Sequence, residues 1–212
     1  MQLLPDRLLE YDPKDRLPAI ADVYELGISL AGMSKAYALP GIRVGWLCTR
    51  CNSALQRFRK LKQYTTICGG TPNELLARIA LANGQEIIAR NLSILRNNLR
   101  QVDAFFGRNS ERFSFVAPRA GTVSFPKLTL VRDDAMDYCS SLAREHALVL
   151  VPPEAMAPLD ISQKLAERIG PRFRIGFGRT TLPALLRQWD AAVAAEQATL
   201  ATTTEVVAAA RL

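Results

Sequence analysis

The chain has 212 residues, of which 49% are hydrophobic and 22% charged, as in an ordinary globular protein with one good core or two small ones. It contains no apolar run of about 18 residues and no charged-then-apolar leader, so it predicts neither a membrane span nor secretion. The formal charge of +7 comes from basic residues scattered among acidic ones, which favours a solvated basic surface over nucleic-acid binding.

The first predicted elements form a strand-turn-strand unit. Residues 1–27 read as a loop-rich lead-in, and Ile28 to Ala31 as a short buried strand. Leu39-Pro40-Gly41 is typical of a turn, and alternating apolar residues from Ile42 to Cys48 predict a second strand. An antiparallel pairing of the two strands would follow.

Three polar residues near this turn suggest a chemical role. Lys35 lies at the end of the first strand and Arg43 at the start of the second, so the fold-back can turn both toward one pocket, with Ser34 beside them. A lysine amine can form a Schiff base with an aldehyde, and an arginine fork clamps a phosphate bidentately. Taken alone, the pattern also fits a hairpin with two charged residues on its solvated face.

The next segments predict helices. Arg57 to Tyr64 reads as the basic end of one helix, and Thr71 as a cap followed by proline and glutamate in the first turn of another. That helix should end near Ala82, where Asn83-Gly84 interrupts it, and a long amphipathic helix should begin near Gln85. Its apolar face would carry Ile88, Leu92, Leu95, Leu99, Val102 and Phe106, and its exposed arc Arg90, Asn97, Arg100 and Asp103.

Residues 111–190 predict a small domain in which strands alternate with helices, and therefore an α/β fold. The expected elements are a strand at 113–116, a helix at 134–146, a buried strand at 147–151, a short helix at 162–169, a strand at 172–177 and a helix at 182–195. Residues 196–212 are expected to be a frayed helix or a disordered tail.

The cysteines and the histidine do not predict a metal or redox site. Cys48 and Cys51 form a CxxC pair, but a structural zinc would need a second pair, and only Cys68, Cys139 and His146 remain. Four reduced thiols in a cytosolic protein are the expectation. His146 falls at a helix end without a nucleophile near it in sequence, which argues against a hydrolytic triad.

The string Ser34-Lys-Ala-Tyr-Ala-Leu-Pro-Gly-Ile-Arg-Val-Gly-Trp46 resembles the cofactor-lysine signature of the fold-type I pyridoxal-phosphate aminotransferases, class I/II, the aspartate aminotransferase superfamily. The resemblance implies that Lys35 carries pyridoxal 5'-phosphate as a Schiff base and that Ser34 and Arg43 bind its phosphate. Where many members of the family have another phosphate-binding serine, this chain has Gly32.

A second string, Arg172-Phe-Arg-Ile-Gly-Phe-Gly-Arg179, resembles the C-terminal segment whose arginine holds the substrate α-carboxylate, and this implies that role for Arg174. Strand alternation would direct the apolar residues of this segment inward and its arginines outward. With weaker similarity at 64–77 and 117–126, the resemblance covers roughly residues 5 to 190.

The implied fold is the C-terminal part of the cofactor-binding large domain, with an incomplete sheet, plus the small α/β domain. The expected boundaries are 1–85 for the partial large domain, 86–110 for an interdomain helix, 111–190 for the small domain and 191–212 for a tail. A full enzyme of this family is roughly twice as long. The preceding half would supply the phosphate loop and the groups that hold the cofactor ring, and none of these can be assigned here.

The resemblance thus implies an aminotransferase of α-amino acids and 2-oxo acids, and we expect this chain to be truncated and weakly active or inactive alone. Two alternatives remain: a catalytically dead fragment that serves as an interaction module, and another reaction of the same cofactor, by a lyase, decarboxylase or cyclase. The family implies a cytoplasmic homodimer in which Thr65-Thr66-Ile67 reaches the neighbouring phosphate, or a companion chain that supplies the missing half. Uncovered apolar faces predict self-association. No residue here identifies the substrate side chain.

Overall fold

The computed structural model describes residues 14, 17–129, 134–156, 168 and 170–209, with the backbone alone from 199 to 209. The chain forms two compact units. The first extends to Ser93 and includes Arg119–Gly121; the second begins at Ile94, runs to Pro118 and resumes at Thr122. Within the described residues, helices combine with three two-stranded antiparallel sheets, which confirms the predicted α/β class. In the described part of the chain, no helix is both long enough and apolar enough to cross a membrane.

A hairpin is the centre of the first unit. Strand β1 (Ile28–Gly32) pairs antiparallel with β2 (Gly45–Thr49), so that Gly32 lies opposite Gly45. Helix α1 (Ile20–Val23) precedes the hairpin, and a 3₁₀ turn (Pro40–Ile42) lies within its connection. The second strand therefore begins at Gly45 rather than at Ile42, because Ile42 ends the 3₁₀ turn and Arg43 follows it in a left-handed conformation.

The burial of β1 differs from the prediction of a buried apolar strand. Ser29 and Ala31 are buried, whereas Ile28 and Leu30 are 44% and 72% exposed. The Ser29 hydroxyl accepts a hydrogen bond from the Ala21 amide at 3.1 Å, which satisfies this polar group in the interior. Leu47, opposite Leu30 on β2, is exposed too. The apolar face of the hairpin is thus uncovered within the described residues.

The core of the first unit lies beneath the turn that follows β1. Met33, Ala36 and Tyr37 are buried against Ala77 and Ala80 of helix α3 (Thr71–Ala82). Partly buried apolar residues complete this core, namely Leu39, Ile42, Val44, Trp46, Ile87 and Ile88. One side of the turn is therefore held by packing.

The helices of the first unit follow the predicted order. Helix α2 (Asn52–Thr65) has no buried residue, and α3 ends at Ala82 as predicted. The predicted cap at Thr71 is wrong: Gly70 is the N-cap and Thr71 the first helical residue, with proline in the first turn. The long amphipathic helix is confirmed as α4 (Gly84–Arg108).

The second unit is built around aromatic side chains. Phe105, Phe113 and Phe173 are fully buried, and Trp189 lies 4.5 Å from Phe105 between ring centroids. The Trp189 indole donates a hydrogen bond to the Tyr138 hydroxyl at 2.8 Å. The strands of this unit are β3 (Phe113–Ser114), β4 (Val123–Ser124), β5 (Lys127–Leu128) and β6 (Ile175–Gly176); β3 pairs with β5, and β4 with β6.

Two helices flank these strands. Helix α5 (Ala135–His146) is confirmed, and the Asp134 side chain caps it by accepting a hydrogen bond from the Met136 amide at 2.7 Å. Helix α6 begins at Leu182 as predicted but continues to Ala209, without a break near residue 195.

The predicted buried strand at 147–151 is wrong. Ala147 adopts a left-handed conformation that ends α5, Val149 is 80% exposed, and only an isolated bridge joins Val151 to Arg174. A left-handed residue turns the chain out of the extended path that a strand needs. The predicted helix at 162–169 falls almost wholly outside the described residues.

Candidate active site

Lys35 lies in the tight turn after β1, three residues beyond Gly32. The turn is held by two backbone hydrogen bonds, from the Met33 amide to the Val44 carbonyl at 3.0 Å and from the Leu39 amide to the Met33 carbonyl at 2.9 Å. Because Met33 and Ala36 are buried in the core, Lys35 is directed to the opposite, exposed side. The packing of its neighbours thus presents the amine to solvent.

Arg43 differs in local structure from the prediction. It is not part of β2 but follows the 3₁₀ turn in a left-handed conformation, with φ 53°. This conformation costs a residue with a side chain roughly 1–2 kcal/mol. The Arg43 guanidinium donates from Nη1 to the Pro40 carbonyl at 3.1 Å. The arginine is therefore oriented by the turn that precedes it rather than by strand alternation.

Ser34, Lys35 and Arg43 line one cavity of about 410 Å³ on the hairpin. The remaining lining residues are Leu30, Ala31, Gly32, Leu39, Pro40, Val44 and Gly45. A volume of this size is typical of a site for a small ligand or cofactor. The structure thus brings the three residues predicted from the hairpin together around one space.

Gly32 and Gly45 allow β1 and β2 to approach each other closely at this cavity. A Cβ atom on Gly45 would lie 2.9 Å from the Ala31 carbonyl oxygen, and one on Gly32 would lie 3.2 Å from the Val44 carbonyl oxygen. The first distance is shorter than real packing shows and the second is unusually tight, and in both cases the neighbouring atom is backbone. A side chain at Gly32 would therefore require the facing backbone to move by a few tenths of an ångström.

One hydrogen bond links the lysine turn to α4. Asn91 donates from Nδ2 to the Ala36 carbonyl at 2.9 Å, and Arg90 donates to the Asn91 Oδ1 at 3.4 Å. The sequence prediction did not include Asn91. Its signal was present, since Asn91 follows Ile88 by three positions and precedes Leu95 by four, on the apolar stripe of the helix.

Arg174 belongs to the second unit. The predicted alternation is confirmed: Phe173, Ile175 and Phe177 are buried, whereas Arg174 is exposed. The Arg174 amide donates to the Val151 carbonyl at 2.8 Å, which fixes the backbone at this point. Arg172, two residues earlier, instead directs its guanidinium to the Phe125 carbonyl at 2.9 Å.

The CxxC cysteines have different environments. Burial, with a smaller effect of Asp22, raises the pKa of the Cys48 thiol. Hydrogen bonds with the Ser53 side chain and the Ala54 backbone lower the pKa of Cys51. All four cysteines are free, and the described ranges contain no cluster of three or more His, Cys, Asp or Glu residues that could hold a metal ion.

Comparisons with known proteins identify the family. The sequence model of the family "Aminotransferase class I and II" matches residues 10–182. A PLP-dependent aminotransferase from Streptococcus suis superposes with a TM-score of 0.69 and 33% identity, over 82% of this chain and 43% of that one. Capreomycidine synthase from Streptomyces vinaceus is 29% identical over 150 residues, which are 71% of this chain and 35% of that protein.

A further solved structure resembles the chain in fold. The PLP-dependent cyclase OrfR superposes with a TM-score of 0.65 at 24% identity, over 77% of this chain and 42% of that one. The chain thus spans less than half the length of each of these three proteins. It belongs to the aminotransferase class I and II family, and its fold is the C-terminal part of the large domain, with an incomplete sheet, plus the small C-terminal α/β domain.

Proposed function

We propose that this chain forms part of a pyridoxal-phosphate-dependent aminotransferase that transfers the amino group of an α-amino acid to a 2-oxo acid. The observation that carries the proposal is the cavity shared by Ser34, Lys35 and Arg43. An amine, a hydroxyl and a guanidinium around one space suit a ligand with both an aldehyde and a phosphate. Membership of a family of pyridoxal-phosphate enzymes supports the same cofactor.

The residues of the cavity fit this group. Lys35 supplies the amine that attaches the aldehyde carbon, and Arg43 and Ser34 supply donors for the phosphate oxygens. Gly32 and Gly45 add no side chain at the edge of the cavity, where a side chain would collide with backbone atoms. When bound, the cofactor supplies a ring that withdraws electrons from the substrate carbon. The Lys35 Nζ would then be the group that moves the proton to and from the substrate Cα.

Arg174 is proposed to hold the substrate α-carboxylate. Its side chain is exposed on the outer face of its strand, which it shares with the exposed Gly176. The structure shows a contact of the neighbouring Arg172 guanidinium with the Phe125 carbonyl, and no comparable contact of Arg174 among the described residues. An exposed arginine fork can bind a carboxylate through two parallel hydrogen bonds. This favours α-amino acids over simple amines as substrates.

We propose further that this part of the site acts together with a complementary part of the fold, either in the same polypeptide or in a companion chain, within a cytoplasmic homodimer. The uncovered apolar face of the hairpin, formed by Ile28, Leu30 and Leu47, supports this pairing. Thr65 to Ile67, exposed at the end of α2, are the proposed residues near the neighbouring phosphate. The 212 residues by themselves should therefore bind the cofactor weakly and turn over little.

A second candidate function is another reaction of the same cofactor. The likeness in fold to a protein described as a PLP-dependent cyclase makes a cyclisation the alternative to compare. The products separate the two functions, since transamination forms a 2-oxo acid from the amino donor and a cyclisation does not.

Covalent attachment of the cofactor to Lys35 tests the proposal. The purified chain is mixed with pyridoxal phosphate, reduced with sodium borohydride and digested, and the modified peptide is identified by mass spectrometry. We expect the cofactor mass on Lys35, together with a change in visible absorbance that Lys35→Ala abolishes. Lys60→Ala, which removes an exposed lysine of α2, is the matched control and should leave both unchanged. Labelling spread over surface lysines with none on Lys35 would contradict the proposal.

Turnover tests the other parts of the proposal. Rapid 2-oxo acid formation by the 212 residues alone, lost in Lys35→Ala, would contradict the need for a complementary part. Once that part is supplied, Arg174→Gln should raise KM for α-amino acids and leave KM for a primary amine without a carboxylate unchanged. Arg187→Gln, on the exposed side of α6, is the control.

A further inference from the structure

We propose that Asn91 is a positioning residue for Lys35, acting through the carbonyl of Ala36. The inference rests on the proposed function of Lys35 and goes beyond it, because it assigns a role to a residue of α4 outside the cavity. The link is the hydrogen bond from Asn91 Nδ2 to the Ala36 carbonyl at 2.9 Å, which joins residues 55 positions apart.

The lysine turn needs such an anchor. Residues 33–38 form no regular helix or strand, and Ala38 adopts a left-handed conformation with φ 54°. Ala36 and Tyr37 are 2% and 4% exposed, so the carbonyl between them has little water to accept from. A backbone carbonyl in this environment requires a protein donor. Asn91 supplies that donor from another element.

The amide of Asn91 is itself oriented. Arg90 donates to its Oδ1 at 3.4 Å, which places the nitrogen of the amide toward Ala36. Asn91 is half-buried, on the stripe of α4 that otherwise carries apolar residues such as Ile88 and Leu95. A polar residue in such a position is explained by the hydrogen bond that it makes.

The consequence for Lys35 follows from its place in the chain. Its own carbonyl accepts from the Ala38 amide at 3.1 Å, so Lys35 and Ala36 are fixed by consecutive peptide groups. Met33 is held on the other side by the Val44 carbonyl. Without Asn91, the peptide after Ala36 loses its hydrogen bond to α4. The backbone next to Lys35 then becomes less restrained, and the lysine amine samples more directions relative to Arg43.

Two variants test this role. Asn91→Asp keeps the side-chain shape and an acceptor for Arg90 but removes the Nδ2 donor, whereas Asn91→Ala removes both. In each we expect the affinity for pyridoxal phosphate at Lys35 to fall about tenfold. The visible absorbance of the attached pyridoxal phosphate changes with pH, and the midpoint of this change should also shift in both variants. A loss of overall stability alone would not move this midpoint. Asn97→Asp and Asn97→Ala, at an exposed position of the same helix, should leave affinity and midpoint unchanged.

A second measurement needs neither the cofactor nor a turnover. Hydrogen exchange of the amides of residues 35–38 should become at least about tenfold faster in Asn91→Asp, under conditions where circular dichroism shows it folded. Unchanged exchange in a folded Asn91→Asp or Asn91→Ala variant would overturn the inference. If the unsubstituted chain shows no attachment at Lys35, the proposed function fails, while exchange still decides whether Asn91 holds the turn.

The unsubstituted chain provides a check if both variants fail to fold. Coupling between two sites is reciprocal, so attachment of pyridoxal phosphate at Lys35 should slow exchange of the Asn91 side-chain amide protons by about the same factor. The side-chain amide of Asn97 should show no change. Equal behaviour of the two side chains would also overturn the inference.

Discussion

Asn98 donates hydrogen bonds from its Nδ2 to the carbonyls of both Phe177, at 2.6 Å, and Arg179, at 2.8 Å. Asn98 is 2% exposed, on α4, and the two carbonyls lie between β6 and α6. A single amide thereby fixes the segment that leaves β6, the strand that follows Arg174. The second unit thus has, like the first, an asparagine of α4 that satisfies backbone carbonyls of an irregular segment.

Asn98→Ala is expected to lower the free energy of unfolding by about 2 kcal/mol, because the buried hydrogen bond to Phe177 and the partly buried one to Arg179 are both lost. Asn97→Ala, one position earlier and exposed, should change it by less than about 0.5 kcal/mol. Both substitutions improve helix propensity equally, so the difference between them reports the hydrogen bonds. Urea denaturation followed by circular dichroism measures it, and equal midpoints for the two variants would contradict the prediction.

Gly45→Ala is expected to destabilise the hairpin. The new Cβ would lie 2.9 Å from the Ala31 carbonyl oxygen, so backbone must shift, at a cost of about 2 kcal/mol. Gly41→Ala is the matched control, since a Cβ there meets nothing within 4 Å. We expect that variant to be neutral or slightly stabilised. Thermal melting distinguishes the two, and a Gly45→Ala variant as stable as Gly41→Ala would show that the strands can separate without cost.

Arg43→Gln should weaken binding of pyridoxal phosphate about a hundredfold, because a neutral amide replaces a charge-assisted fork. Binding of pyridoxal, which lacks the phosphate, should be nearly unchanged. Absorbance titration with each aldehyde measures this, with Arg57→Gln on α2 as a control. Equal losses for both aldehydes would mean that Arg43 maintains the shape of the turn instead of binding phosphate.

The thiols should differ in reactivity. Hydrogen bonds with Ser53 and Ala54 lower the pKa of Cys51, whereas burial raises the pKa of Cys139 to about 11. With limiting iodoacetamide at pH 8, Cys51 should be alkylated at least about a hundredfold faster than Cys139, because the thiolate is the nucleophile. Ser53→Ala should slow the reaction of Cys51, and Ser93→Ala should not. Peptide mapping by mass spectrometry gives the rates; comparable rates at Cys51 and Cys139 would contradict this.

The Cys139 thiol makes the free energy of unfolding depend on pH. Since burial raises the pKa of Cys139 from its ordinary value of 9.0 to about 11, the unfolded chain loses this proton first as the pH rises. The contribution of this thiol to the free energy of unfolding is therefore fully present below about pH 9 and is lost as the pH rises from 9 to 11. Burial also raises the pKa of Tyr138, which acts in the same direction. Between pH 8.5 and 10.5, the urea midpoint of Cys139→Ala should fall less than that of the unsubstituted chain, because the contribution of one titrating thiol is removed. Equal falls in the two proteins would show that Cys139 does not cause the pH dependence.

Local signals in the sequence predicted the helices well. Asn83-Gly84 separates α3 from α4, and the spacing of apolar residues predicts the extent of α4, because both depend on residues within a turn or two. The alternation that buries Phe173 and exposes Arg174 is local in the same sense. The cap of α3 and the length of α6 were less well predicted, because helix ends depend on small energy differences.

The sequence by itself determined the family, the order of the helices from α2 to α5, the two strands of the hairpin, and the presence of Lys35 and Arg43 near one tight turn. Only the tertiary structure decided which face of β1 is buried, how closely Gly32 and Gly45 approach the opposite strand, how Arg43 is oriented, and that Asn91 reaches Ala36. The physical reason is the range of the interactions. Periodicity and turn propensity act between near neighbours, whereas burial, close strand approach and a hydrogen bond across 55 residues depend on which distant segments come into contact.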